Sequence, residues 1–212
     1  MTTSNQKNIP ALRFKEFDGE WKVKTLDKIG KTLNGLTGKT KDDFGEGKPY
    51  IQYKQIFDHS KVDIHNCGLV KLTEKDKQTR MQFGDIFFTT SSETPREIGT
   101  SSVLLDYVDE IYLNSFCFGY RPDLDTLNPM FAQFLFRSHS FRKTMIPLAQ
   151  GSTRYNLSKK SFLKLQINLP SLPEQQKIAH FLSQLDEQIQ QTRQQLAHLQ
   201  DYKKGLLQQL FV

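Results

Sequence analysis

One stretch of the sequence has the residue types of a phosphate-binding loop. Gly38-Lys39-Thr40 supplies the glycine, lysine and hydroxyl residue with which such a loop holds a nucleotide. The loop also needs a glycine five residues before its second glycine, and this chain has Leu33 there. The charged residues that follow Thr40 cannot form the apolar helix whose N-terminus would face the phosphates. The sequence therefore does not predict nucleotide binding at this position.

A second stretch has the residue types of a catalytic box. Asn128-Pro129-Met130-Phe131 resembles the Asn-Pro-Pro-Tyr/Phe motif of amino-methyltransferases, with Met130 in place of the second proline. Such enzymes also need a glycine-rich strand, turn and helix for the methyl donor, and no such segment precedes Asn128. An asparagine that caps a helix beginning with proline explains the same residues.

The histidines and serines complete no catalytic or metal-binding pattern. The chain has no Gly-x-Ser-x-Gly turn, and its histidines lack the paired spacing of metal ligands. The histidines are His59, His65, His139, His180 and His198. The sequence therefore predicts a non-catalytic protein with no metal site and no bound cofactor of its own.

The distribution of charge divides the chain in two. Its 29 basic and 23 acidic residues give a net charge of +6. From Pro173 onward four basic residues balance four acidic ones, so the whole excess lies before Pro173. A basic domain attached to a neutral segment suggests a polyanion for the domain and a protein for the segment. The excess is modest, and an ordinary basic surface would have the same charge.

Two loops in the basic part mix small hydroxyls, arginine and an aromatic residue, at residues 89–96 and 152–155. These residue types suit phosphate anchoring and contacts with base edges, although ordinary surface loops have them too. The candidate DNA-contacting residues are Lys39, Lys41, Lys54, Arg80, Thr90, Ser91, Ser92, Arg96, Arg154, Tyr155, Lys159 and Lys160.

The order of the short apolar segments predicts an α+β fold. Strands are expected at residues 50–53, 62–64, 69–72, 85–89, 103–105, 111–113, 116–120 and 165–170. Helices are expected from Asn128 to Phe141 and after Ser158, loops at residues 38–49 and 90–102, and a hairpin turn at Asn34-Gly35. The order lacks a regular βαβ alternation, so we expect a mixed globular domain at residues 1–170.

The remaining residues, 171–212, predict one long helix. Pro173 suits its first turn, and Glu174 suits the positive end of its dipole. Positions at alternating spacings of four and three are then apolar except for Thr192 and Lys203, which is typical of a coiled coil of roughly 60 Å. These seam residues are Ile178, Leu182, Leu185, Ile189, Leu196, Leu199, Leu206 and Leu210. Pairing with another long helix is expected, and folding back onto its own domain is the alternative.

The sequence also gives an expectation for location. No run of eighteen apolar residues is present, so no membrane span is expected. The polar start, Met1-Thr2-Thr3-Ser4, lacks the apolar region of a signal peptide. We expect a cytoplasmic protein.

Several motifs together are similar to those of the DNA specificity subunits of type I restriction–modification systems. The similarity is greatest at the junction between recognition domain and helix, in Gly151-Ser152-Thr153-Arg154-Tyr155-Asn156-Leu157-Ser158 and in Leu165-Gln166-Ile167-Asn168-Leu169-Pro170-Ser171-Leu172-Pro173-Glu174-Gln175-Gln176-Lys177-Ile178-Ala179. Further matching stretches are Leu12-Arg13-Phe14, Trp21, Gly84-Asp85-Ile86, Glu97-Ile98-Gly99 and Lys203-Lys204-Gly205-Leu206-Leu207-Gln208-Gln209-Leu210-Phe211.

The resemblance implies a non-catalytic subunit that directs other subunits to DNA. Its globular domain would read one part of a split double-stranded target. Its helix would recruit a DNA methyltransferase subunit, which works with a restriction subunit. S-adenosylmethionine, ATP and magnesium would then belong to those partners. The recognition domain varies most across the family, so the resemblance assigns no base-reading residue here.

The chain departs from the usual family pattern of two recognition domains joined by two antiparallel helices. It has one domain and one helix, so we expect an antiparallel homodimer that reads inverted half-sites one to two DNA turns apart. Alternatives are a truncated subunit that pairs with another specificity subunit and modulates target choice, a coiled-coil adaptor that binds protein rather than DNA, and an enzyme, which the missing motifs oppose.

Overall fold

The α+β class is confirmed in a computed structural model that describes residues 8–73 and 75–211. Within these residues the strands are β1 Lys22–Thr25, β2 Gly30–Asn34, β3 Phe44–Ile51, β4 Gly68–Val70, β5 Ile86–Thr89, β6 Ser91–Ser92, β7 Ser101–Val103, β8 Tyr112–Leu113, β9 Cys117–Pro122, β10 Tyr155–Asn156 and β11 Gln166–Leu169. The α-helices are α1 Leu26–Ile29, α2 Tyr53–Asp58, α3 Pro129–Leu135, α4 His139–Met145, α5 Lys159–Leu163 and α6 Leu172–Leu210. Short 3-10 helices occur at Lys41–Asp43 and Ile146–Leu148.

The chain forms two compact units, Met1–Gln176 and Lys177–Val212. The first, which we call the globular unit, contains the strands and the start of α6. The second consists of the rest of α6, which is continuous over 39 residues and about 58 Å long. None of the helices in the described ranges is long and apolar enough to span a membrane.

The core of the globular unit is built on an antiparallel sheet of order β2-β9-β5-β7. The β5 residues Ile86, Phe87 and Phe88 are fully buried, as expected of a central strand with both faces covered. The Phe88 ring packs 5.3 Å from that of Phe118 on β9 and 4.7 Å from that of Phe162 on α5. This aromatic cluster joins the sheet to the helix that precedes β11.

A second sheet, of order β4-β3-β8, corrects two predictions. Residues 44–49, predicted as loop, belong to β3, which pairs with β4 through a bulge between Phe44 and Lys48. The bulge explains the glycines, because Gly45 and Gly47 have φ of 114° and 106°. The hairpin predicted at Asn34-Gly35 is also wrong, since β2 pairs with β9 and not with β3.

Three other predicted elements differ in the structure, whereas two predicted helix caps are present. Residues 62–64 form no strand, and a single bridge joins Lys61 to Val103 nearby. The helix predicted from Asn128 to Phe141 is two helices, because the Ser138 hydroxyl accepts from the backbone N–H of Phe141 and starts α4. The loop predicted at residues 90–102 contains β6 and the start of β7. The caps predicted at Asn128 and Ser158 are confirmed.

The start of α6 is held by side chains that the sequence did not connect. Glu174 is 1% exposed and accepts hydrogen bonds from Arg13 Nε and Nη2, at 2.8 and 2.7 Å, and from Trp21 Nε1 at 3.2 Å. The strands β1 and β11 pair antiparallel beside this contact. Glu174 was expected only to interact favourably with the dipole of α6. The structure shows that it also forms a buried ion pair with Arg13.

Gln175 makes a second buried contact at the same place. Its side chain is 1% exposed and accepts from the backbone N–H of Asn128 at 2.9 Å. Its amide nitrogen donates to the carbonyl oxygens of Thr126 and Pro170, each at 3.0 Å. One glutamine thus satisfies three backbone groups at the start of α3 and α6.

Candidate nucleic-acid interface

The two loops predicted to contact DNA lie side by side. The strands β6 and β10 pair antiparallel, with Ser92 opposite Tyr155 and Ser91 opposite Asn156. The backbone N–H of Leu157 donates to the carbonyl oxygen of Thr90 at 2.9 Å, which extends the pairing. The candidate residues Thr90, Ser91, Ser92, Arg154 and Tyr155 therefore belong to one surface region.

This region borders a cleft of about 330 Å³, within the size range of small-molecule pockets, which we call the aromatic cleft. It is lined by Tyr53, Phe57, Ser91, Ser92, Glu93, Glu97, Phe116 and Arg154. Its aromatic residues are not among the candidate DNA-contacting residues predicted from the sequence. Phe116 was expected inside a buried strand, but β9 begins one residue later and the Phe116 side chain is 62% exposed. No sequence signal separates an exposed phenylalanine from the buried strand that follows it.

The walls of the aromatic cleft are held by hydrogen bonds and ring contacts. The rings of Tyr53 and Phe57, one helical turn apart on α2, stack at 6.3 Å and 13°. The Tyr53 hydroxyl donates to the carbonyl oxygen of Ser91 at 2.8 Å, and burial raises its pKa, so it remains a donor at neutral pH. The backbone N–H of Phe116 donates to Asn114 Oδ1 at 2.8 Å, and its carbonyl accepts from the N–H of Thr90 at 2.9 Å.

The cleft contains charges of both signs. Ser92 Oγ donates to Glu97 Oε2 at 2.8 Å, and this bond is the main reason that the pKa of Glu97 is lowered, which keeps its carboxylate ionised. Glu93 and Arg154 are exposed at the rim. Within residues 8–73 and 75–211, Arg154 forms no ion pair, and the buried Ser91 hydroxyl has no hydrogen-bond partner. The cleft can therefore donate to and accept from a polar ligand.

The other candidate cations do not line this cleft. Arg96 and Lys160 are exposed, as is Lys41 on its 3-10 helix. Lys54 pairs with Asp58, and Arg80 with Glu110 at 3.4 Å, but the two basic side chains are 86% and 66% exposed. Such surface pairs are weak, so these cations stay available to a phosphate. Lys159 donates to Asn34 Oδ1, and partial burial lowers the pKa of its ammonium group.

Lys39 is the candidate that the structure places least favourably for binding a phosphate. Its side chain is 9% exposed, and its Nζ lies 2.9 Å from Asp76 Oδ1 and 4.0 Å from Asp43 Oδ1. The hydrogen bond from Lys39 is the main reason that the pKa of Asp76 is lowered to about 2. The ammonium group of Lys39 thus lies between the carboxylates of Asp76 and Asp43.

Replacing Lys39 by methionine is therefore expected to raise the pKa of Asp76 from about 2 toward its ordinary value of 3.8. Hydrogen bonds from Thr73 remain, so the rise should be partial. A carboxylate with a lowered pKa stabilises the fold above pH 3.8, and this stabilisation is lost as the pH falls toward 2. Side-chain NMR titration measures the shift, with Lys41→Met as the control. An unchanged Asp76 pKa in the Lys39 variant would show that the contact is absent in solution.

The described residues hold no cluster of three or more histidine, cysteine, aspartate or glutamate side chains suited to a metal ion.

At the level of the whole sequence, residues 18–201 match the family described as the type I restriction modification DNA specificity domain. The match spans most of the globular unit and most of α6. The chain belongs to this family.

A curated relative of this specificity-domain family extends the similarity over nearly the whole chain. A protein of Methanocaldococcus jannaschii that bears the name MjaX type I restriction enzyme specificity subunit is 27% identical over 210 residues. The alignment covers 97% of this chain and 49% of the relative. The chain thus spans about half the length of the curated relative.

Solved structures of specificity subunits share the fold. A chain from a study of complex assembly and conformational transition in a type I restriction–modification system has a TM-score of 0.61 and 18% identity, covering 91% of this chain and 45% of that one. The S subunit from M. genitalium has a TM-score of 0.56 at 19% identity, covering 90% and 42%. The HsdS subunit from Thermoanaerobacter tengcongensis has a TM-score of 0.56 at 18% identity, covering 85% and 41%.

In this member of the specificity-domain family, most of the predicted seam is exposed. Ile178 and Leu182 are half-buried, whereas the exposed fraction is 64% at Leu199 and 70% at Leu210. The other exposed seam residues are Leu185, Ile189, Leu196 and Leu206. A stripe of leucine and isoleucine this long is typical of a surface that binds a protein partner.

Proposed function

We propose that this chain is a non-catalytic, sequence-specific DNA-binding subunit of a type I restriction–modification complex. Residues 1–170 form its target recognition domain, and residues 171–212 form the helix that dimerises and binds the methyltransferase. The observation that carries the proposal is the family match over residues 18–201, which includes both the aromatic cleft and most of the seam.

The proposed partners follow from this role. The globular unit binds double-stranded DNA, and its basic excess favours the phosphate backbone. A DNA methyltransferase subunit binds the chain, and a restriction subunit joins through the complex. S-adenosylmethionine, ATP and magnesium act on those subunits, and the complex works in the cytoplasm, where the chromosomal DNA lies.

The proposed oligomer is an antiparallel homodimer. The chain spans about half the length of the curated relative, and its residues form one globular unit and one long helix, α6. A second copy supplies a second recognition domain and covers the apolar seam of α6. Two-fold symmetry then requires that the two halves of the DNA target be inverted repeats.

Methylation mapping tests this function. A host that expresses the chain with its cognate methyltransferase is expected to carry methyl groups at a split, inverted-repeat target. Purified protein should bind duplex DNA with an affinity that falls steeply as salt rises. A non-palindromic target would contradict the symmetric dimer and favour a truncated subunit that pairs with a different specificity subunit. Absence of both DNA binding and methyltransferase co-purification would favour the adaptor.

A further inference from the structure

We propose that the aromatic cleft is the base-reading site of the globular unit and that it receives the major-groove edge of a G·C base pair. Arg154 donates to O6 and N7 of guanine, and Glu93 accepts from the N4 amino group of cytosine. Phe116 packs against the neighbouring base pair. This inference rests on the proposed function, because it names the residues that read the proposed ligand.

The negative charges of the cleft favour a base edge over a phosphate. Glu93 and Glu97 both line the cleft, and the hydrogen bond from Ser92 keeps Glu97 ionised. Two carboxylates repel a phosphate group, whereas the amino group of cytosine donates to a carboxylate. Because Glu97 already accepts from Ser92, the exposed Glu93 is the acceptor that faces the DNA.

The positive charge of the cleft matches the other half of the same base pair. Arg154 is exposed and, among the described residues, forms no ion pair, and it is the candidate cation that lines the cleft. The planar fork of a guanidinium group fits the two adjacent acceptors of guanine. A guanidinium and a carboxylate in one cleft are therefore complementary to a G·C pair. The guanidinium donates to the two acceptors of guanine, and the carboxylate accepts from the amino group of cytosine.

Phe116 supplies an apolar contact at a fixed position. Its side chain is 62% exposed, yet its backbone N–H and carbonyl are both hydrogen-bonded, to Asn114 and Thr90. A phenylalanine held in this way leaves apolar surface in water until a partner covers it. A base face or a thymine methyl group is the apolar surface that duplex DNA offers.

The test uses the full chain with its methyltransferase and the variants Arg154→Gln, Glu93→Gln and Phe116→Ala. The first two are expected to relax the methylated target at one G·C position of each half-site. Affinity for the wild-type target should fall roughly 5- to 150-fold, with weak generic DNA binding largely kept. Phe116→Ala should reduce affinity for the target in the same range. Circular dichroism checks that each variant is folded.

Two exposed residues outside the cleft are matched controls. Lys160→Gln should weaken binding to all sequences equally, without changing the target. Tyr107 is 84% exposed and stacks on Phe83, so Tyr107→Ala should leave target and affinity unchanged. If Arg154→Gln and Glu93→Gln still methylate only the wild-type target, or lose affinity uniformly as Lys160→Gln does, the base-reading role is wrong while the proposed function stands. If wild-type protein neither binds DNA nor directs methylation, the proposed function itself is wrong.

Discussion

Replacing Gln175 by alanine is expected to lower the free energy of unfolding of the globular unit by about 3 kcal/mol. The side chain is 1% exposed and makes three hydrogen bonds to the backbone of Asn128, Thr126 and Pro170. Alanine would leave these backbone groups buried without partners, and each such group costs about 1 kcal/mol or more. Urea denaturation followed by circular dichroism measures the difference.

The next residue provides a matched control. Gln176 has the same side chain on the same helix, but it is exposed. Gln176→Ala is therefore expected to change the free energy of unfolding by less than about 0.5 kcal/mol. Equal effects of the two substitutions would contradict a specific anchoring role for Gln175.

Replacing Leu196 by aspartate is expected to raise the dissociation constant of the proposed dimer about 1,000-fold or more. Leu196 lies near the middle of the seam, so both copies of the substitution fall inside an antiparallel coil. Each lost leucine removes about 2 kcal/mol of burial, and every 1.4 kcal/mol is a factor of ten. The charge of the buried aspartate adds to this cost. Sedimentation velocity over a range of concentrations measures the change.

Gln194 offers the control for this substitution. It lies on the opposite face of α6 from Leu196, and it is exposed. Gln194→Asp introduces the same charge two residues away and should leave the dissociation constant within a few-fold of wild type. If both variants sediment as wild type, the apolar seam is not the dimer interface.

The long helix could be predicted from sequence because its evidence is local and repeated. The four–three spacing continues from Ile178 to Leu210 with interruptions only at Thr192 and Lys203, and a proline and an acidic residue mark the start of the helix. The structure accordingly contains α6 from Leu172 to Leu210. The caps at Asn128 and Ser158 were predictable for the same reason, since each depends on residues three positions away.

Elements that depend on distant partners could not be predicted. The glycine- and charge-rich residues 44–49 form strand because β4 and a bulge accommodate them. The pairing of β6 with β10 joins residues more than 60 positions apart. The sequence showed that Lys39 is a cation, but it did not show that Lys39 would form a salt bridge with Asp76. The aromatic cleft is likewise invisible in the sequence, because its walls come from four separate segments.

Electron paramagnetic resonance with a nitroxide label at Gln208 tests the central claim most directly, in a chain whose Cys67 and Cys117 are replaced by alanine. In an antiparallel dimer centred near Gln194, the two labels lie at opposite ends of the coil, about 40 Å apart by the rise of the helix. A label at Gln194, near the centre of the dimer but on the face away from the seam, should lie closer to its copy, within roughly 25 Å, which is the width of two paired helices. Short distances at both positions would indicate a parallel pair, and no measurable distance at either would indicate a monomer. Either result would contradict the antiparallel dimer.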